Sequence, residues 1–226
     1  MSKSNPPAPG YSTTKPMLPS LRKLLKELGA QDAAIQLQEL AIRFLRESAP
    51  ADNVKAGEFL RRQFKEHGLP HGTYDFDELR RMTATSYIVL TYAEVEGAFG
   101  GLIAEIKAQL PPGVNWVDQR GKSNLAPLDQ LTVNLPKGSR AALTDKPEAA
   151  LIDYYRCLRV SDAHRSKKTA AQATKAFGRL QPMRAAFCET YLLDAPNPPE
   201  QVHFDDFLLF TRAVKYLSRS INELWA

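Results

Sequence analysis

The chain has 226 residues, 43% of them hydrophobic and 24% charged, with a formal net charge of +5. These proportions allow a packed core and exclude a chain too polar to fold. Two cysteines, Cys157 and Cys188, neither in a metal-ligand spacing, argue against a disulfide scaffold or a zinc site and for a reducing, cytoplasmic setting. The apolar runs at 87–90 and 98–104 fall far short of the ~20 residues a membrane span needs, and the opening MSKSNPPAPGYSTTKP lacks the apolar centre of a secretory signal.

Residues 1–18 are mostly Pro, Ser, Thr and Lys and read as a disordered tail. Pro19 and Ser20 open a helix carrying Leu21, Leu24, Leu25 and Leu28, which the pattern ends at Gly29. Asp32 starts a second amphipathic run with Ile35, Leu37, Leu40, Ile42, Phe44 and Leu45 that stops near Pro50. Asn53 caps a third helix, with Phe59, Leu60 and Phe64 apolar and Gly68 and Pro70 closing it. Residues 19–70 thus form an N-terminal helical extension.

From 74 to about 110 there is no proline, and Ile88, Thr91, Val95, Phe99, Leu102 and Ile106 step by three or four, the inward stripe of one long helix. Gly97, Gly100 and Gly101 inside it each cost roughly 1 kcal/mol against Ala, which implies a close helix contact or a break at 100–101. Residues 111–147 are rich in Pro, Gly, Asn and Asp and read as a long connection, functional or inserted. Helices are expected over 148–158, 165–180, 182–193 and 205–225, the last carrying Phe207, Leu208, Phe210, Val214, Leu217, Ile221 and Leu224. With no convincing strand set, the class is all-α.

The segment LIDYYRCLRVSDAHRSKK places Arg159 four intervening residues before His164. This spacing, the Tyr-Tyr-Arg-Cys-Leu run before it, the earlier helix YIVLTYAEVEGAFGGLI and the closing helix DDFLLFTRAVKYLSRSINEL together resemble the HEPN superfamily over about residues 80–225. The resemblance implies a helical bundle over 71–226 and metal-independent cleavage of RNA by dimers that bring two Arg-x4-His motifs together. It further implies a toxin or antiphage-defence setting, in which a protein antitoxin or other protein partner is expected. Glu96, on the long helix, corresponds to acidic residues that orient the Arg or His in that family.

The chemistry suits these residue types. Attack of an RNA 2′-hydroxyl on the adjacent phosphorus needs a base, an acid and a holder of phosphate charge. Histidine as a residue type supplies the first two and arginine the third. No cofactor or metal is called for. Two copies facing each other would supply both acid and base, so RNA and a second copy of the chain are the expected partners. On an unbroken helix residues five apart lie about 140° apart, so Arg159 and His164 converge within one chain only if a loop or helix start falls near Ser161–Asp162.

Downstream, Arg165, Lys167, Lys168, Lys175, Arg179 and Arg184 follow with no acidic residue before Glu189, and Lys168, Lys175 and Arg179 share a helical face able to track phosphates. Tyr154 and Tyr155 are the aromatic residues available to stack on unpaired bases. Active members of the family usually carry Asn or Asp directly after the Arg; Val160 stands there instead, with Ser161 and Asp162 displaced. That departure supports the alternative of a non-catalytic HEPN-like module binding RNA, a nucleotide or a protein. His67, His71 and His203 are given no role, and Cys157 reads as a packed thiol.

Overall fold

The computed structural model describes residues 16–70, 75–121 and 123–225, so most of the tail expected over 1–18 and all of 71–74, His71 included, lie outside the described residues. The class is all-α. The α-helices are α1 (Pro19–Glu47), α2 (Asn53–Glu66), α3 (Phe76–Gln109), α4 (Pro127–Val133), α5 (Lys137–Thr144), α6 (Pro147–His164), α7 (Lys167–Leu180), α8 (Arg184–Tyr191) and α9 (Phe204–Trp225). A two-residue hairpin pairs β1 (Gln119–Arg120) with β2 (Ser123–Asn124).

Helix α3 is the centre. The stripe expected to face inward does so: Ile88, Thr91, Val95, Phe99, Leu102 and Ile106 are all buried, against α1, α6 and α9. By length and a mean hydropathy of 1.2 over an 18-residue window, α3 is apolar enough to cross a bilayer. This corrects the reading from uninterrupted apolar runs, which misses it because isolated polar residues divide the helix. In this fold its apolar stripe is consumed by helix packing. The helix does not break at Gly100–Gly101. Gly101 instead marks a close approach, since a Cβ there would lie 2.8 Å from Ser20 Oγ, whereas one at Gly97 or Gly100 would meet nothing within 4 Å. Ser20 reaches Glu105 through both its backbone N–H (2.9 Å) and its hydroxyl (2.6 Å), fastening the start of α1 to α3.

Gly29 does not end the first helix. One 29-residue helix runs from Pro19 to Glu47, because burial of Leu28 and Ile35 on either side outweighs the roughly 1 kcal/mol cost of a helical glycine. Its first half, with Leu21, Leu24, Leu28 and Ile35, belongs to the main core and not to a separate extension. Asp32 is ion-paired with Lys215 of α9. Beyond Ile35 the helix leaves that core, and Leu37, Leu40 and Phe44 are exposed. Helix α2, capped by Asp52 and not Asn53, makes a small second cluster of Ala56 and Leu60 with Phe76. Glu39, buried, accepts from Arg43 (2.8 Å) and Arg80 (2.7 Å) between the two.

The 111–147 connection is also more ordered than expected. It holds the hairpin, α4 and α5, and it sends Leu131, Leu135 and Leu143 into the main core. Asn134 clamps the Val117 backbone on both sides, N–H and carbonyl each at 2.8 Å, and Trp116 donates to Gln130 (3.1 Å) while its ring meets Trp225.

Candidate functional site

Helix α6 carries the motif. Pro147 starts it, where the missing N–H costs nothing, and Leu151, Ile152, Tyr154, Tyr155 and Leu158 bury one face. No loop interrupts it at Ser161–Asp162. It continues through His164 and ends at Arg165, whose left-handed backbone (φ 43°) returns its N–H to the Ser161 carbonyl at 2.8 Å. Ser166 then caps α7, its hydroxyl taking the Thr169 N–H.

Arg159 points toward α3. Its guanidinium lies 3.4 Å from a Glu96 carboxylate oxygen and 5.5 Å from the centroid of the Tyr92 ring, which in turn stacks on Phe210. Both partners of the ion pair keep about a third of their surface in water, 32% and 40%, so the guanidinium is steered yet reachable. Burial, followed by the Glu96 charge, pushes the Tyr92 hydroxyl well above the ordinary phenol range, and the ring therefore serves as a neutral platform. The fold thus brings Glu96 to Arg159. It does not bring His164, which sits exposed at the last turn of α6 and, on an unbroken helix, about 140° around the axis from Arg159.

Tyr154 and Tyr155 are corrected outright. Both are fully buried, so neither can stack on a base. Their hydroxyls donate to the Asn197 carbonyl (2.5 Å) and to Asp206 (3.1 Å), and their rings pack on each other, Phe177 and Phe210. Desolvation, then the charge of Asp206, raises both phenols. Asp206 itself, wholly buried, also accepts from the Asn197 N–H (2.9 Å), the Asn197 side chain (3.0 Å) and the His203 N–H (3.1 Å). His203, assigned no role from sequence, belongs to this structural network through a 3.0 Å contact with Asn197.

The basic run divides in two. Arg165, Lys167, Lys168 and Lys175 are exposed and carry no ion pair with a described residue. Arg179 is tied to Asp153 of α6 at 2.6 Å, and Asp153 also holds Arg156 at 2.6 Å. Arg184 is occupied by Asp194 (2.5 Å) and the Pro196 carbonyl (2.9 Å). Reading the basic run along α7 alone misses Asp153; a check of α6 for carboxylates at helical spacing from Arg156 finds it. Among the described residues, no group of three or more His, Cys, Asp or Glu is placed to hold a metal ion.

No family model, curated protein or solved structure matches this chain. Its function therefore has to be read from the geometry alone.

Proposed function

We propose that this protein is a metal-independent, RNA-cleaving protein of HEPN type whose site is completed between two copies of the chain. The observation that carries the reading is the Arg159–Glu96 pair: a guanidinium steered from an adjacent helix, platformed on Tyr92 and left partly in water. A purely structural ion pair has no need of that exposure, whereas a phosphate-holding Arg requires it. His164, exposed at the end of α6, supplies the proton-transferring group. Since the two diverge on one helix, each Arg159 works with the His164 of a second copy, and Lys168 and Lys175 extend the path for the RNA backbone. The test is incubation of the purified protein with mixed RNAs in EDTA. Cleavage leaving 2′,3′-cyclic phosphate ends, lost on His164→Ala and on Arg159→Ala, is the expected result. Cleavage that requires a divalent metal and survives His164→Ala refutes it.

A second reading has its own support. The unbroken helix and the apolar Val160 after Arg159 suit a chain that binds RNA or a nucleotide without cutting it. A strict monomer at micromolar concentration that retains RNA and leaves it intact decides for this module.

A further inference from the structure

The last turns of α6, the first turn of α7 and the N-terminal part of α3 surround an open cleft of about 420 Å³. Arg81 and Thr85 enter it from α3, Ser161, Asp162 and Arg165 from the end of α6, and Lys167 from the start of α7. Arg81, Arg165 and Lys167 are held by no ion pair or side-chain hydrogen bond with a described residue. Thr85 is only 9% exposed, lines the cleft, and its hydroxyl finds no hydrogen-bond partner among the described residues. The third and fourth N–H groups of α7 are taken, Thr169 by the Ser166 hydroxyl at 3.2 Å and Ala170 by the Ser166 carbonyl at 3.0 Å. Those of Lys167 and Lys168, in the unpaired first turn of a 14-residue helix, are left to a ligand.

Charge selects the ligand class. Three formal cations against the Asp162 carboxylate leave +2, which a single carboxylate would half-neutralise and a phosphate monoester, at roughly −1.5 to −2 near pH 7, would match. Two guanidiniums, unpaired N–H groups and the unpaired Thr85 hydroxyl are the donors a phosphate's several acceptor oxygens need. The volume lies within the roughly 300–1,000 Å³ of small-molecule sites and exceeds what inorganic phosphate would fill. The cleft is distinct from the Arg159 site, because Arg159 leaves α6 about 100° around the axis from Leu158, which lines the cleft, and faces Glu96. We propose that this cleft is a phosphate-monoester site that receives the terminal phosphate of a nucleotide, free or at the end of an RNA strand.

Calorimetric titration of the full chain with 5′-AMP, adenosine and inorganic phosphate tests the chemistry. Anisotropy with 5′-phosphorylated and 5′-hydroxyl 2′-O-methyl oligonucleotides, which cannot be cut through a 2′-hydroxyl, tests the source. AMP should bind about tenfold or more tightly than adenosine, weakening below about pH 6 as the phosphate regains its second proton. A strand-end site adds a tenfold preference for the 5′-phosphorylated strand, and a free-nucleotide site shows none. Arg81→Gln, Arg165→Gln and the near-isosteric Thr85→Val should each lower AMP affinity, while Arg159→Ala leaves it unchanged. Equal binding of AMP and adenosine together with equal binding of the two strands overturns the proposal, as does a phosphate preference that survives Arg81→Gln and Thr85→Val. Loss of RNA cleavage with AMP binding intact would remove the ribonuclease reading and leave this site standing.

Discussion

Replacing Glu96 by Gln should separate orientation from stability. The substitution keeps the shape and removes the charge that faces Arg159 at 3.4 Å. Unit charges at about 4 Å attract by roughly 4 kcal/mol at an effective dielectric near 20. Desolvation, side-chain entropy and salt reduce measured values for pairs this exposed to about 1 kcal/mol or less. In a chain of this size that is a fall in Tm of less than about 4 °C. The effect on RNA cleavage should be larger, since a guanidinium left on the Tyr92 ring alone loses its direction, and misplacement by about 1 Å can cost ~10²-fold. The assay is a cycle of wild type, Glu96→Gln, Arg159→Lys and the double variant, scored for both melting and initial cleavage rate per folded protein. Glu96 acting through Arg159 gives rate effects far from additive, the double variant being little worse than Arg159→Lys. Additive rate losses, or a large Tm drop with an unchanged rate, would show that the pair merely holds α3 to α6.

His164→Ala should lower cleavage by ~10²–10⁴-fold with the helical circular dichroism unchanged, because the residue is exposed and bonds to nothing in the core. Charge reversal of Lys167, Lys168 and Lys175 should flatten the salt dependence of RNA binding by about two in the log–log slope, at ~0.7 per phosphate contact for a single strand, whereas Arg179→Ala, already neutralised by Asp153, should change it little. Gly97→Ala and Gly100→Ala should gain up to ~1 kcal/mol in denaturant titration, whereas Gly101→Ala should lose that gain, because its Cβ would push the Ser20 hydroxyl off Glu105. Burial raises the Asp206 carboxyl above the usual range despite its hydrogen bonds from Asn197 and His203. The folded state therefore holds that proton to higher pH than the unfolded chain, and Asp206 contributes stability below about pH 4 that is lost as pH rises through its folded pKa. Asp206→Asn should lack that loss, and a pair of melting profiles from pH 4 to 7 that stay parallel would contradict the assignment.

The α3 and α9 stripes are legible because apolar side chains recurring every 3.6 residues all fall on one side of a helix, and that side must be buried; every α3 position named from the period is. The failures share a cause. Gly29, the Pro- and Gly-rich 111–147 segment and the Ser161–Asp162 pair look like local punctuation, yet local preference amounts to about 1 kcal/mol per residue and burial of one leucine to more. Tertiary packing of Leu28, Leu131 and Leu158 therefore overrides it each time. Tyr154 and Tyr155 fail for a different reason. Adjacent helical residues point about 100° apart, so one of the two is expected to reach solvent; both are buried because α7 and α9 enclose α6 on two sides, a fact of topology that no window of sequence contains.

The unbroken course of α6 also bears on mechanism. Had the helix stopped at Ser161, Arg159 and His164 could have met within one chain, and a monomer would have been competent. Because the helix holds to His164, its two faces diverge: one carries Arg159 to Glu96, the other carries Leu158, Ser161 and Asp162 to the cleft that Arg81 also lines. The segment from Leu158 to Lys167 thereby contributes cations to two separate surfaces, Arg159 to the partly buried one beside Glu96 and Arg165 and Lys167 to the open cleft. On the proposed reading, phosphoryl transfer at the first needs a histidine from a second copy, whereas phosphate capture at the second needs none. Dilution below the dimer dissociation constant should accordingly abolish RNA cleavage while leaving AMP binding at full stoichiometry. Parallel loss of both on dilution would mean that the two surfaces form one site across the interface.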